Sequence, residues 1–166
     1  MASRLRSSYS VLLNELKRKY YQTELIRIHR GNSRGVFINA KPLYVISLIE
    51  CIDKGLLLEN KIEFPAPEIE KVYLETCEKY EPGRKLSPFI LPYFHISTES
   101  FYEIQWKGTK FVPSRHAHSP SGKYLKENVS YAYLDEALWD LLQEPSVREQ
   151  YRELIVNFFL RPKTEE

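Results

Sequence analysis

Residues 93–106 read Tyr93-Phe94-His95-Ile96-Ser97-Thr98-Glu99-Ser100-Phe101-Tyr102-Glu103-Ile104-Gln105-Trp106. Aromatic and β-branched residues crowd both ends of this stretch, and Phe101 to Trp106 alternates apolar and polar side chains. Thr98-Glu99-Ser100 has the composition of a turn. The pattern predicts two strands, 93–97 and 101–106, joined as a hairpin. The stretch decides the fold class because almost everything around it has helical spacing.

Upstream, Ser10 to Tyr21 reads as a helix with Val11, Leu12, Leu16 and Tyr20 near one face. Leu25 to Arg30 fits either a short strand or a helix end. Gly31-Asn32-Ser33-Arg34-Gly35 reads as a flexible basic loop. The next helix is signalled by Asn39 as N-cap, Pro42 in the first turn, and an apolar face of Leu43, Ile46, Leu48, Ile49 and Ile52, with Gly55 closing it. Glu68 to Lys79 reads as a further helix with Ile69, Val72, Tyr73 and Cys77 inward. Downstream, 107–122 is a Gly/Ser/Pro/His-rich loop and Lys123 to Val129 a short helix. Leu134 to Gln143 and Pro145 to Leu160 are amphipathic helices.

The expected architecture is therefore α+β and mostly helical, five to six helices with one small antiparallel hairpin. It is read as a single domain over 1–166, with 1–9 as a flexible arm and 161–166 as a tail. Strands and helices do not alternate, and neither G-x-G-x-x-G nor G-x-x-x-x-G-K-[ST] occurs, so no doubly wound nucleotide-binding sheet is expected.

Composition fits a folded chain: 166 residues, 43% hydrophobic and 28% charged. No apolar run approaches the roughly 18 residues of a membrane span, and the start lacks the apolar core of a secretory signal. A cytoplasmic protein with no membrane partner is expected. Cys51 and Cys77 are too few for a disulfide framework and read as buried free thiols.

The net charge of +2 hides a pattern. Residues 1–35 carry Arg4, Arg6, Lys17, Arg18, Lys19, Arg27, Arg30 and Arg34 against Glu15 and Glu24. Residues 105–128 carry Lys107, Lys110, Arg115, Lys123 and Lys126 against Glu127. Acidic segments occupy 50–81 and 129–166. A polyanion would find a basic patch only where the two basic segments meet in space. Aromatic residues concentrate between Phe89 and Tyr133, and basic residues interleave with them from Lys107 to Lys126. That mixture suits a surface that stacks on bases as well as a packed core.

Two motifs hint at catalysis. Gly31-Asn32-Ser33-Arg34-Gly35 matches G-x-S-x-G, but Val36-Phe37-Ile38 follows where a nucleophile elbow needs a helix. His116-Ala117-His118, with His95 or His29, has spacing that could hold a metal, though no cysteine pair or acid stands beside it. The reading is that neither metal nor cofactor is used.

Several residues gain meaning in order: Lys41-Pro42-Leu43 opening an apolar helix that ends Asp-Lys-Gly; Leu91-Pro92-Tyr93-Phe94-His95-Ile96; Phe101-Tyr102-Glu103-Ile104; and Tyr133-Leu134-Asp135-Glu136-Ala137-Leu138-Trp139. This series, over roughly residues 10–160, resembles the sulfur-binding domain that precedes the HNH nuclease of McrA-like, modification-dependent restriction endonucleases. The resemblance implies a module for phosphorothioate-modified double-stranded DNA in bacterial host defence. No HNH signature occurs in the chain, so it is read as non-enzymatic, with an HNH nuclease domain as its C-terminal partner.

The resemblance also implies site residues. The family's cavity proline corresponds to Pro92, with Leu91, Tyr93, His95 and Ala40 around it. Phosphate-binding cations correspond to Lys41, with Arg115, Lys123 and Arg34 as further candidates. Asn32, Asn39 and His116 would reach base edges. The chain departs from the family pattern in carrying Ala40 where members often have His, and Leu91 where they often have an aromatic. The chemistry is coherent. Sulfur in place of a non-bridging oxygen keeps the charge but hydrates less strongly, so an apolar cavity accepts it. An oxygen there would lose water without a replacement hydrogen bond, at about 1–3 kcal/mol. Other readings of the residues stay open: a reader of another DNA mark or sequence, a protein-interaction domain that regulates a nuclease, and a metal-dependent nuclease built on His116.

Overall fold

The structure, a computed structural model, describes residues 2–161, with side chains from residue 7 onward. The elements are α1 (Ala2–Ile26), β1 (Gly31–Ser33), β2 (Val36–Ile38), α2 (Ala40–Asp53), α3 (Pro67–Tyr80), α4 (Ile90–His95), β3 (Tyr102–Trp106), α5 (Gly122–Asn128), β4 (Val129–Leu134), α6 (Glu136–Leu141) and α7 (Pro145–Ile155), the last followed by one wider turn, Val156–Leu160. The class is α+β as read from the sequence. Among the described residues there are seven α-helices rather than five or six, and two two-stranded antiparallel sheets rather than one.

α2 is the central element. Leu43 to Ile49 and Cys51 are all buried, so it is apolar on every side rather than along one stripe. α3, α4 and α7 pack around it. Pro42 lies in its first turn and Gly55, at φ +71°, follows the C-cap, both as the sequence signals. Cys51 and Cys77 are buried free thiols, and desolvation pushes the Cys51 thiol up to about 12.

The hairpin expected over 93–106 does not form. Its first half is helix α4, and β3 pairs instead with β4, Tyr102 opposite Leu134 and Ile104 opposite Ala132. The reason is Pro92. A proline suits the first turn of a helix, where the amide N–H has no partner to lose, and it disrupts a strand ladder. Tyr93 N–H accordingly donates to Phe89 O at 3.1 Å in helical fashion. The second half behaves as read: Tyr102 is buried while Glu103 and Gln105 face out.

Two other expectations change. The Gly31–Gly35 loop is the tip of hairpin β1–β2, with Arg34 at φ 53° and Gly35 at φ 83° forming its two-residue turn. Leu25–Arg30 resolves as the end of α1 and the chain leaving it. The arm read over 1–9 is helical from Ala2, as part of α1, and the tail read over 161–166 lies beyond the described residues from 162 onward.

Buried tyrosines lock the centre. The hydroxyls of Tyr44 and Tyr102 lie 3.0 Å apart, Tyr102 donates to Tyr93 O at 2.9 Å, and Tyr93 donates to Ile62 O at 2.7 Å. The chain of bonds satisfies every hydroxyl that burial removes from water. It also fixes α4 against α2 and the β3–β4 sheet, which sets the position of the site.

Candidate nucleic-acid interface

The start of α2 is where the chain's separate signals meet. Asn39 occupies the N-cap position, and its carbonyl receives Leu43 N–H at 3.0 Å. Its side chain does not cap the helix. The amide oxygen accepts from Arg30 Nη1 at 3.0 Å and the amide nitrogen donates to Glu81 Oε2 at 3.1 Å. Arg84 pairs with the same Glu81 carboxylate and donates to Phe37 O at 3.2 Å. This network pins hairpin β1–β2 to α2 and α3. It leaves the amides of Ala40 and Lys41 without a side-chain cap at the positive end of the helix dipole, Pro42 having no N–H and Leu43 N–H bonding Asn39 O.

Beside this helix start lies a cleft of about 520 Å³. Phe37, Ile38, Ala40, Leu43, Leu86 and Leu91 give it apolar walls, and Arg84 and Lys85 add cations. Phe37 and Ile38 are 50% and 40% exposed, an open apolar wall on a hairpin too small for a core of its own. The Arg30 guanidinium stacks 4.0 Å from the Phe37 ring centroid, and partial burial lowers its pKa.

On the other side of Lys41 is a polar cluster. Lys41 Nζ donates to Thr98 Oγ1 at 3.1 Å and to Glu99 Oε1 at 3.2 Å. Glu99 also accepts from His29 N–H at 2.8 Å. His95 Nε2 lies 2.6 Å from Ser119 Oγ, which ties the 107–121 loop to α4. Burial, and then the nearby Lys41 and His118, hold the His95 imidazole below its ordinary value, so it is neutral at pH 7.

The residues singled out from the sequence divide accordingly. Ala40 and Leu91 line the cleft; His95 lines a second cleft instead, and Lys41, next to Ala40 in the chain, turns its ammonium to Thr98 on that second cleft. Pro92 and Tyr93 do not line the first: both are buried, Tyr93 completely, because α4 turns that face onto α2. Of the residues expected around a cavity at Pro92, only Ala40 and Leu91 line this cleft. Asn39 is 6% exposed and bonded on both ends of its amide, so it holds the site together rather than reaching a base. Lys41 is paired with Glu99 and must share its ammonium to meet a phosphate.

Asn32 and Arg34 are exposed at the hairpin tip, where Asn32 Oδ1 receives Gly35 N–H at 2.9 Å. Arg115 and His116 are exposed in a turn stabilised by Ser114, which accepts from His116 N–H and Ala117 N–H. Lys123 stands on the open side of α5, 4.0 Å from Glu127. Ser33 ends a strand that turns into another strand, not a helix, so the nucleophile-elbow geometry is absent there. Among the described residues no three His, Cys, Asp or Glu side chains gather as a metal site, and no helix is long and apolar enough to cross a membrane.

Arg84, Lys85, Phe37 and Ile38 went unread in the sequence. The Arg84-Lys85 doublet before an apolar run was the available signal for the first two.

The chain shares its fold with part of a restriction enzyme. It superposes on the Type IV phosphorothioation-dependent restriction endonuclease ScoMcrA with a TM-score of 0.62 and 10% sequence identity, over 86% of this chain and 30% of that one. The chain thus spans less than a third of that enzyme. No family model and no curated protein matches it.

Proposed function

We propose that the chain is a recognition module for double-stranded DNA carrying phosphorothioate, and that the sulfur enters the cleft at the start of α2. One observation carries this reading. Ala40 and Leu91, far apart in sequence, line a single, mainly apolar cleft at a helix N-terminus, in a fold shared with a phosphorothioation-dependent endonuclease. Leu91, Ala40 and Ile38 would receive the sulfur, while Arg84 and Lys85 on the cleft, with Lys41 and the uncapped amides of Ala40 and Lys41 at the start of α2, would meet the remaining phosphate oxygens. Asn32, Arg34, Arg115 and His116, exposed on the two flanking loops, are the candidates for base edges.

In this reading the chain binds without cutting, and cleavage belongs to a nuclease domain joined to it in the natural protein. The sulfur preference follows from desolvation: about 1–3 kcal/mol against oxygen, or roughly 5–150-fold in affinity. Phosphate contacts add attraction that weakens with salt.

Fluorescence-anisotropy titration of one duplex sequence, with and without a central phosphorothioate, tests the proposal. Preference for the modified duplex within that range is expected, and equal affinity at every salt concentration overturns it. The burial of Pro92 favours a second reading, a reader of another mark or of plain sequence on the same scaffold, and that reading predicts the equal-affinity result.

A further inference from the structure

A second cleft, of about 510 Å³, opens on the far side of the Lys41–His95 cluster. Phe94, at 5% exposure, is its floor, and Trp106 and Phe111 are its walls. The rings are set edge to face: Phe94 meets Trp106 at 6.4 Å and 74° and Phe111 at 5.4 Å and 87°. Thr98, Glu103 and Lys110 supply polar groups at the rim.

The loop carrying Phe111 is anchored near both of its ends and at Phe111 itself. Thr109 N–H donates to Asn128 Oδ1 at 3.0 Å, Tyr124 donates to Thr109 O at 2.8 Å, and Ser119 bonds His95. Phe111 also packs on Tyr124 at 5.6 Å and 75°.

We propose that this cleft takes a nucleobase swung out of the bound duplex; the inference rests on the DNA-binding reading above. A base is a flat ring with donors and acceptors along one edge, and the cleft is lined by three aromatic rings together with the hydroxyl of Thr98, the carboxylate of Glu103 and the ammonium of Lys110. Thr98 both lines the cleft and accepts from Lys41 Nζ, so the cation that would hold a phosphate is one hydrogen bond from the pocket for the attached base. Stacking against aromatic side chains offsets the cost of unpairing, and it tolerates any base.

Mismatches distinguish this inference from simple duplex binding. A mismatch removes in advance part of the cost of extruding a base. Duplexes carrying one phosphorothioate and a single mismatch, placed in turn at each position around it, are titrated with the intact chain. One position at which the mismatch tightens binding about tenfold is expected, with the gain lost in Trp106→Ala and in Phe111→Ala while the preference for sulfur persists. Phe111 lies in the loop outside the sheet, so its variant tests the pocket even where Trp106→Ala does not fold. Absence of such a position, or a gain that survives in Phe111→Ala, overturns the inference and leaves the sulfur reading standing. Failure to bind any duplex overturns both.

Discussion

Ala40→Asp separates what the start of α2 does for the fold from what it does for a ligand. Ala40 is the first residue of α2, half-buried and on the wall of the 520 Å³ cleft. Asn39 gives the helix no side-chain cap, so a carboxylate at position 40 meets the uncompensated positive end of the helix dipole. It should stabilise the protein by about 0.3–1 kcal/mol. For a phosphate taken at about 6 Å from that carboxylate, and effective dielectric constants between about 80 and 20, the repulsion is about 0.7–3 kcal/mol, or roughly 3–150-fold weaker binding. The assays are a thermal melt and an anisotropy titration on one preparation. The expected pair of results is an equal or higher Tm with weaker binding. A variant of unchanged Tm that binds modified duplex as tightly as the parent would refute the placement of the phosphate at this helix start.

Four further outcomes follow from the same geometry. Pro92→Gly should act on stability first, lowering Tm, because the ring is buried in α4; a variant of unaltered Tm and selectively lost sulfur preference would return Pro92 to the site. Tyr102→Phe removes the hydroxyl that pairs with Tyr44 inside the core and should cost about 1–3 kcal/mol in urea unfolding, so an unchanged midpoint contradicts the buried chain of tyrosines. Gly35→Val forces a β-branched residue to φ +83° at the hairpin tip; duplex binding should fall with little change in Tm, and unchanged binding removes the hairpin from the interface. Neutral His95 sets a pH dependence: its folded value is depressed, so the unfolded chain takes up the proton more readily, and stability is full above about 6.5 and declines as pH falls from there toward the folded value. A nearby phosphate favours the imidazolium, so binding should take up a proton below that pH, and His95→Gln should abolish the uptake measured calorimetrically in buffers of different ionisation enthalpy.

The sequence was most legible where a local signal and the tertiary demand agreed. Pro42, Gly55 and Pro145 mark helix ends because each satisfies its backbone position whatever packs against it. Residues 93–97 misled because Tyr, Phe and Ile favour strands on average, while Pro92 fixes a helical first turn and burial against α2 completes it. Hairpin β1–β2 was hidden by its size: three-residue strands show no usable alternation, and Arg34 in the left-handed region is an unusual turn residue. β4 falls between the helices expected over 123–129 and 134–143, because its partner β3 lies 23 or more residues away in sequence and pairing at that distance leaves no local trace.

At the site, Lys41, Ala40 and Leu91 were legible as a group only through the ordered resemblance; their convergence depends on how α4 lies against α2. The inward turn of Pro92 and Asn39 was not legible at all. Pro92 sits on the six-residue α4 and Asn39 just before α2, and packing rather than periodicity chooses what each buries. Arg84 and Lys85 were passed over because their segment is neutral overall, and charge averaged over a segment hides a doublet that folding turns into a cleft.

The most direct measurement is to locate the sulfur itself in a crystal of the complex with a phosphorothioate duplex, from its anomalous scattering. The account predicts the sulfur in van der Waals contact with Leu91 and Ala40, at the N-terminus of α2. Sulfur density anywhere else, or a duplex bound with the cleft empty, would contradict it.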